Sequence, residues 1–281
     1  PSMTTEPKRY TADAPFRYLS LGWGVQSFTL AAMIALEELP PVDAAIHADT
    51  GHEALGTYTH AARWTPWLEE HGVKIVTVKA QDTSPTPGPS AQNKMTRKGI
   101  WIPAYSLNPT TGAMGQINRA CTDKWKITPV RRFIRTQIGK TSPECVEAHM
   151  GISLDEWHRM KTSNVKYIKN VYPLVDARIS RANCVAWLES KGLEVPPKSS
   201  CTFCPYHSLE TWRVLKRNGG SDWEEAVAVD ADLRSEVFTE GLEMYLHPHN
   251  KPLSEAVDIP EDHGFKQLEL EMPCDSGHCF V

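Results

Sequence analysis

Three groups of residues in this chain have the types and spacing to do chemistry. The first is Ser20-Leu21-Gly22-Trp23-Gly24-Val25-Gln26-Ser27. Glycines permit tight turns and let the backbone approach a ligand closely. A helix starting at the end of such a run presents unbonded N–H groups and the positive end of its dipole, both suited to phosphate. Ser20 and Ser27 add hydroxyl donors. The run contains neither G-x-x-x-x-G-K-S/T nor G-x-G-x-x-G, which excludes a Walker loop and the dinucleotide fingerprint. The second group is Asp49-Thr50-Gly51-His52-Glu53. At the carboxyl edge of a parallel sheet, Asp49 could hold Mg²⁺ or a ribose hydroxyl. An Asp-Gly turn that only caps the next helix is the plainer alternative.

The third group is made of thiols. Of seven cysteines, Cys201 and Cys204 form a C-x-x-C followed by Pro205, and Cys274 and Cys279 form a second close pair. In a reducing compartment such spacing points to metal or redox chemistry rather than structural disulfides. Thiolates of Cys201, Cys204, Cys274 and Cys279 would suit tetrahedral zinc (Zn²⁺). Cys145 and Cys184 lie in apolar periodic runs and are expected to be buried as small hydrophobes. Positive charge gathers at Arg119, Lys124, Lys126, Arg131, Arg132 and Arg135, with Lys94, Arg97 and Lys98 before it. Arg132 and Arg135 are expected on a solvated helix face. His247, His249 and His263 lack helical spacing and are expected at the surface.

The elements that must position these groups can be read from periodicity. Phe16 to Leu21 reads as a buried strand, Val25 to Leu39 as a helix stopped by Pro40-Pro41, and Asp43 to Ala48 as a strand. His52 to His71 reads as a helix and Lys74 to Lys79 as a third strand. This rhythm predicts an α/β fold, Rossmann-like, with a parallel sheet and flanking helices. Ala80 to Arg119 breaks the pattern and reads as a long active-site loop. Cys121 to Ile138 resumes as a basic amphipathic helix, and Cys145 to Ile152 as a strand. Ser153 to Lys161 reads as a short helix with a Ser153/Glu156 capping box. Val165 to Leu174 is expected to be extended, Ser180 to Lys191 a capped helix, and Leu209 to Phe238 helical with a break at Gly219-Gly220. The expected division is residues 14–208 as a nucleotide-binding α/β domain and 209–281 as a helical extension with a cysteine-bearing tail.

Composition sets outer limits. Hydrophobic residues are 41% and charged residues 23% of 281, enough apolar material for a sizeable core. A formal charge of −4 argues against wholesale wrapping of nucleic acid, though not against a local basic groove. No apolar run is long enough to span a membrane, and the first residues lack an apolar signal core. Pro1-Ser2 before Met3 reads as a tag remnant. A cytoplasmic location is the resulting expectation.

Taken in order, these segments resemble the ATP-pyrophosphatase (PP-loop) superfamily, on its phosphoadenosine-phosphosulfate (PAPS) reductase-like branch. Ser20, Gly22, Gly24, Gln26 and Ser27 stand in register with a relaxed PP-loop. Gly22-Trp23-Gly24 and Gln26 replace the usual Gly-Gly pair and acidic residue. Asp49-Thr50-Gly51 resembles the segment after the second strand. Cys121-Thr122-Asp123-Lys124-Trp125-Lys126-Ile127-Thr128-Pro129-Val130 resembles C-(C/T)-x-x-(R/W)-K-(I/V)-x-P-(L/V). The resemblance implies nucleotide binding by Ser20, Gly22, Trp23, Gly24, Gln26, Ser27, Asp49, Thr50 and Gly51. Asp49 and Lys126 would be catalytic, with Lys126, Arg178 and Arg181 as anion contacts. It further implies a 4Fe-4S cluster on Cys121, Cys201 and Cys204, with Thr122 in place of a fourth ligand. Cys274 or Cys279 would complete the set, or one iron would stay open.

The implied activity is cleavage of ATP with Mg²⁺ between the α and β phosphates, adenylation of a substrate, and displacement of AMP by a sulfur or nitrogen nucleophile. Nucleic-acid modification with a thiol or sulfur-donor protein fits this scheme. One alternative is a sulfonucleotide (PAPS or APS) reductase releasing sulfite. The C-terminal E-C-G-(I/L)-H of such reductases is absent, so that route lacks its nucleophile. Another is a non-enzymatic nucleotide-binding accessory docked on a nucleoprotein of a phage or CRISPR-type system.

Overall fold

The computed structural model describes residues 10–79, 95–96, 99–100, 102–117, 119–234 and 241–260. Its centre is a five-stranded, wholly parallel sheet of order β3-β2-β1-β8-β9. β1 (Phe16–Ser20) is the middle strand, flanked by β2 (Ala44–Asp49) and β8 (Val146–His149). The edges are β3 (Ile75–Lys79) and β9 (Ile168–Val171). Alternation along the strands divides two cores, as a period of two requires. Leu19, Leu21 and Ala45 face a core shared with α1 (Val25–Ala35) and α2 (Leu55–Glu70). Phe16, Tyr18, Ile46 and Ala48 face a second core. Ile134 and Ile138 of α3 (Thr128–Ile138) close that second face. The fold is therefore the α/β, Rossmann-like sheet with flanking helices that the sequence predicts.

Several boundaries differ from expectation for identifiable reasons. α1 ends at Ala35 because Glu37 adopts a left-handed φ of 60°. The amides of Glu38 and Leu39 then turn back onto the Met33 carbonyl at 2.8 and 3.2 Å, a helix-closing geometry. α2 starts at Leu55 because residues 52–54 are extended against the Cys201 segment. Glu53 bridges Cys201, Ala54 N–H donates to Ser200 O at 3.0 Å, and Thr202 N–H to His52 O at 2.9 Å. The basic helix opens with a π-helical turn, Thr122–Ile127, that buries Trp125 and Lys126 before α3.

Residues 154–159 form a 3₁₀ turn without a side-chain cap, so the predicted Ser153/Glu156 box does not form. Glu156 is instead drawn inward by Gln26 and Arg159. The segment expected to be wholly extended holds β9 and then a short helix, α4 (Pro173–Asp176). α5 (Arg181–Ser190) does carry a capping box, made by Ser180 and Asn183.

The stretch read as a long loop contains backbone order. β4 (Met95–Thr96) pairs with β5 (Gly99–Ile100), and β6 (Ala104–Leu107) forms a hairpin with β7 (Met114–Ile117). The partner on the other side of β6 is β10 (Glu243–Tyr245), from the segment before the tail. A three-residue strand joined to one so far back in sequence leaves no local signature. This small sheet packs with α6 (Leu209–Asn218) and α7 (Gly220–Leu233), which part at Gly219, and with α8 (Leu253–Ala256). Trp125, Phe203 and Trp212 fill the third core between them. His247 is buried there rather than at the surface, and burial lowers its pKa to about 4. Among the described residues no helix is long and apolar enough to cross a membrane.

Candidate functional site

Order 3-2-1-8-9 makes the junction of β1 and β8 a topological switch point, where α/β sheets open a crevice at their carboxyl edge. The loop from Ser20 to Ser27 leaves β1 at that edge and starts α1. Its own side chains draw it tight. Ser27 Oγ accepts the Gly22 N–H at 3.2 Å and donates to Gly24 O at 3.3 Å. Gln26 is clamped at both ends of its amide. Nε2 donates to Glu156 Oε2 at 3.1 Å, and Oε1 accepts from Arg181 Nη1 at 3.2 Å. Burial raises the Glu156 pKa, against the opposing pull of Arg159, whose guanidinium lies 2.6 Å away.

Trp23 holds a left-handed φ of 57°, strained for a bulky residue, and is buried against Phe28, His47 and His60. Two glycines allow close approach. A Cβ on Gly24 would stand 2.8 Å from Ser199 Oγ, and one on Gly151 would stand 2.9 Å from Ser27 N. The first-turn amides of Val25, Gln26 and Ser27 take no acceptor among the described residues, and Gly24 provides no side-chain cap. A compact helix start results, its first-turn amides unbonded but its residues Val25, Gln26 and Ser27 buried.

The Asp49 turn lies at the end of the neighbouring strand. Asp49 Oδ1 accepts from Gly51 N–H and from Tyr58 OH, both at 2.7 Å, while Oδ2 lies 3.3 Å from Lys79 Nζ. Burial opposes ionisation, but Gly51, Tyr58, His47 and Lys79 outweigh it and hold the carboxyl below its usual range. Thr50 Oγ1 donates to Glu53 Oε1 at 3.1 Å. That same oxygen lies 3.5 Å from Lys126 Nζ in a pair whose side chains are 5% and 2% exposed. Lys126 thus arrives at the site already partnered by a carboxylate.

Cys201 Sγ approaches Thr50 Oγ1 at 3.5 Å and Glu53 Oε1 at 3.8 Å. Cys121 and Cys201 both pack on the third core, and Cys204 is buried. No group of three or more His, Cys, Asp or Glu is arranged to hold a metal among the described residues, and Cys274 and Cys279 lie outside them. The described cysteines therefore do not by themselves fit a cluster or zinc ligand set. Cys145 and Cys184 are buried as expected, and burial pushes the Cys184 thiol up to about 11.

Over the carboxyl edge, beside the loop, lies a cavity of about 230 Å³. Its apolar floor is Ile46, Ala48 and Met150; Ser20 stands at one side and Lys126 and Arg131 overhead. The wall is residues 161–164. Tyr18 also lines it, its pKa raised by burial against the lowering influence of Arg131. That volume is below the ~300–1,000 Å³ of typical ligand sites, so a drug-sized ligand would extend beyond it.

Ser20, Gly22, Trp23, Gly24, Gln26 and Ser27 thus form one loop, with Arg181 joined to it through Gln26. Asp49, Thr50 and Gly51 form the adjacent turn, which Lys126 reaches through Glu53 and Cys201 through Thr50. Arg178 is exposed, with a left-handed φ of 57°. Tyr58, Ser199 and residues 162–164 carry no signal in the sequence, Glu156 reads there only as part of a helix cap, and Arg131 only as one of a cluster of cations. The pairing of His52 Nδ1 with Glu225, itself bonded by Thr202 Oγ1 at 2.6 Å, was equally hidden. Only Gly151, a glycine directly beyond a strand at the sheet edge, left a signal that could have been read.

No family model matches this chain, and no curated protein matches it. Among solved structures it is similar to the phosphoadenylyl-sulfate (PAPS) reductase from Candida auris, crystallised as a phosphate complex. The two share 13% identity at a TM-score of 0.41, over 65% of this chain and 75% of that one. The assignment of fold therefore stands on strand order and register rather than on this overlap.

Proposed function

We propose that this chain binds ATP or a related adenine nucleotide at the carboxyl edge of its sheet and uses it to adenylate a substrate for sulfur transfer. The observation that carries the reading is the cavity at the β1–β8 switch point, lined by Ser20, from which the glycine loop leads to the unbonded first-turn amides of α1. The base enters over Ile46, Ala48 and Met150, and the phosphates run past Ser20 toward the helix start. Open amides and a helix dipole favour negative charge there, and being preorganised they cost little reorganisation as charge develops. Arg131 and the Lys126–Glu53 pair set the field above the phosphates. Asp49, held ionised, is the residue that would hold Mg²⁺, which when bound neutralises phosphate oxygens. An acceptor oxygen attacking the α phosphorus would release pyrophosphate, and a thiol or sulfide nucleophile would then displace AMP. No step is routed through an iron–sulfur or zinc centre.

One feature favours a second reading, binding without turnover. Gln26 stands where the resemblance has an acid, and its amide is fully engaged by Glu156 and Arg181. Calorimetry with Mg-ATP, paired with a pyrophosphate-release assay, separates the two. The enzyme reading expects both signals, with release abolished in Asp49→Ala and binding weakened about tenfold in Ser27→Ala. Binding without release selects the accessory role. Absence of adenine-nucleotide binding ends both.

A further inference from the structure

Behind the nucleotide cavity lies a second hollow of about 730 Å³. Residues 161–164 line both spaces and form the wall between them. The wall is pinned. Lys161 N–H donates to Tyr172 Oη at 2.9 Å, and the Lys161 carbonyl accepts from Tyr172 OH and Asn170 Nδ2 at 2.7 and 2.8 Å. Arg131 holds Asn164 from the cavity side.

The outer groove is rich in donors. Lys161, Lys166 and Lys169 line it and are all exposed, against a single acid, Glu144. Thr162, Ser163 and Asn170 add hydroxyl and amide groups. The cross-strand neighbour of Lys169 is Glu147, which is already paired with Arg17 at 3.0 Å. A net charge of −4 for the whole chain makes this local excess of cations notable. Exposed apolar side chains gather at the same place. Met160 lines the groove and is 40% exposed, and its amide donates to the carbonyl of Trp157, which is 63% exposed. A lysine on an open sheet edge also guards against strand pairing. That accounts for Lys169 on β9, but not for Lys161 and Lys166, nor for the exposure of the Trp157 indole.

We propose that this groove binds single-stranded nucleic acid and presents it to the inner cavity as the acceptor. The acceptor role rests on the nucleotide reading of that cavity. Ammonium, hydroxyl and amide donors are the set that meets phosphate oxygens, and the exposed indole of Trp157, three residues before the groove's Met160, can stack on a base. A groove that ends against an inner cavity suits an unstacked nucleotide or a strand end, not the face of a duplex.

The test is fluorescence anisotropy of a labelled single-stranded oligonucleotide on the full chain across a salt series, alongside ATP calorimetry. Lys166 and Lys169 touch only the outer groove, so Lys166→Ala/Lys169→Ala should leave ATP binding and the unfolding midpoint unchanged. With about 0.7 of log–log salt slope per phosphate contact on a single strand, the double variant should flatten the slope by about 1.4. Trp157→Ala should weaken oligonucleotide binding about tenfold. The proposal is overturned if the unmodified chain does not bind the oligonucleotide at low salt. Equal binding by the double variant overturns it too, as does equally tight binding of polyglutamate. Oligonucleotide binding without ATP binding would remove the function proposed for the cavity while leaving the groove's ligand intact.

Discussion

Lys126→Met gives the sharpest test of how the site is built. The Lys126 and Glu53 side chains are 5% and 2% exposed, with Nζ and Oε1 3.5 Å apart. At an effective dielectric of about 20, that separation corresponds to a gross attraction of about 5 kcal/mol. Much of it only offsets the cost of taking both charges out of water. Removing the cation alone leaves the Glu53 carboxylate buried, with the Thr50 hydroxyl at 3.1 Å and the Cys201 thiol at 3.8 Å as remaining donors. A buried pair broken on one side costs about 3–5 kcal/mol. Glu53→Gln removes the acid from the same pair. The double replacement removes both charges and should cost clearly less than the two singles summed, with a coupling of about 1–3 kcal/mol. Urea unfolding of the four proteins closes the cycle. If Lys126→Met stays within about 1 kcal/mol of the parent and the cycle is additive, Glu53 does not hold the lysine. The position of Lys126 would then be set by other contacts. If the cycle shows coupling, nucleotide affinities of Lys126 variants must be measured where the variant is fully folded.

Two further outcomes follow from buried polar groups. His60 is 2% exposed with neither ring nitrogen partnered among the described residues, and burial lowers its pKa from 6.5 to about 4. Its neutral form favours the folded state, so stability is complete above pH 6.5 and is lost as pH falls toward 4, by at most about 3 kcal/mol. His60→Phe should therefore gain more stability at pH 5 than at pH 8 in denaturant titrations, and an unchanged pH slope would refute the assignment. Asp230, 1% exposed, accepts from Leu246 N–H at 2.9 Å, Leu253 N–H at 2.7 Å and Arg234 Nη1 at 2.6 Å. Asp230→Ala should cost about 2–5 kcal/mol and speed amide exchange at Glu243–Tyr245 while β1 to β3 stay protected; equal protection in both regions counts against the clamp.

Local patterns in the chain carried the frame. Short, nearly continuous apolar runs in Phe16–Ser20 and Ala44–Asp49, with a helix-period run between them, are enough to dictate parallel strands and a crossover helix. They also place Ser20 and Asp49 at the same sheet edge, because successive parallel strands end on the same side. The glycine loop and the D-T-G turn were legible for that reason. The partners of those residues were not. Gln26 meets Glu156, Lys126 meets Glu53, His52 meets Glu225, and Ser199 covers Gly24, all across long separations. Such contacts depend on how finished elements pack, and no periodicity records them. The sequence by itself determined which strands run parallel and where the glycine-rich turn lies. Tertiary packing decided that the loop is clamped, that Lys126 is paired with Glu53, and that a basic groove opens behind the cavity. The division follows from range: backbone preference and amphipathic period act within a few residues, whereas desolvated charges and hydrogen bonds are matched only once distant segments meet.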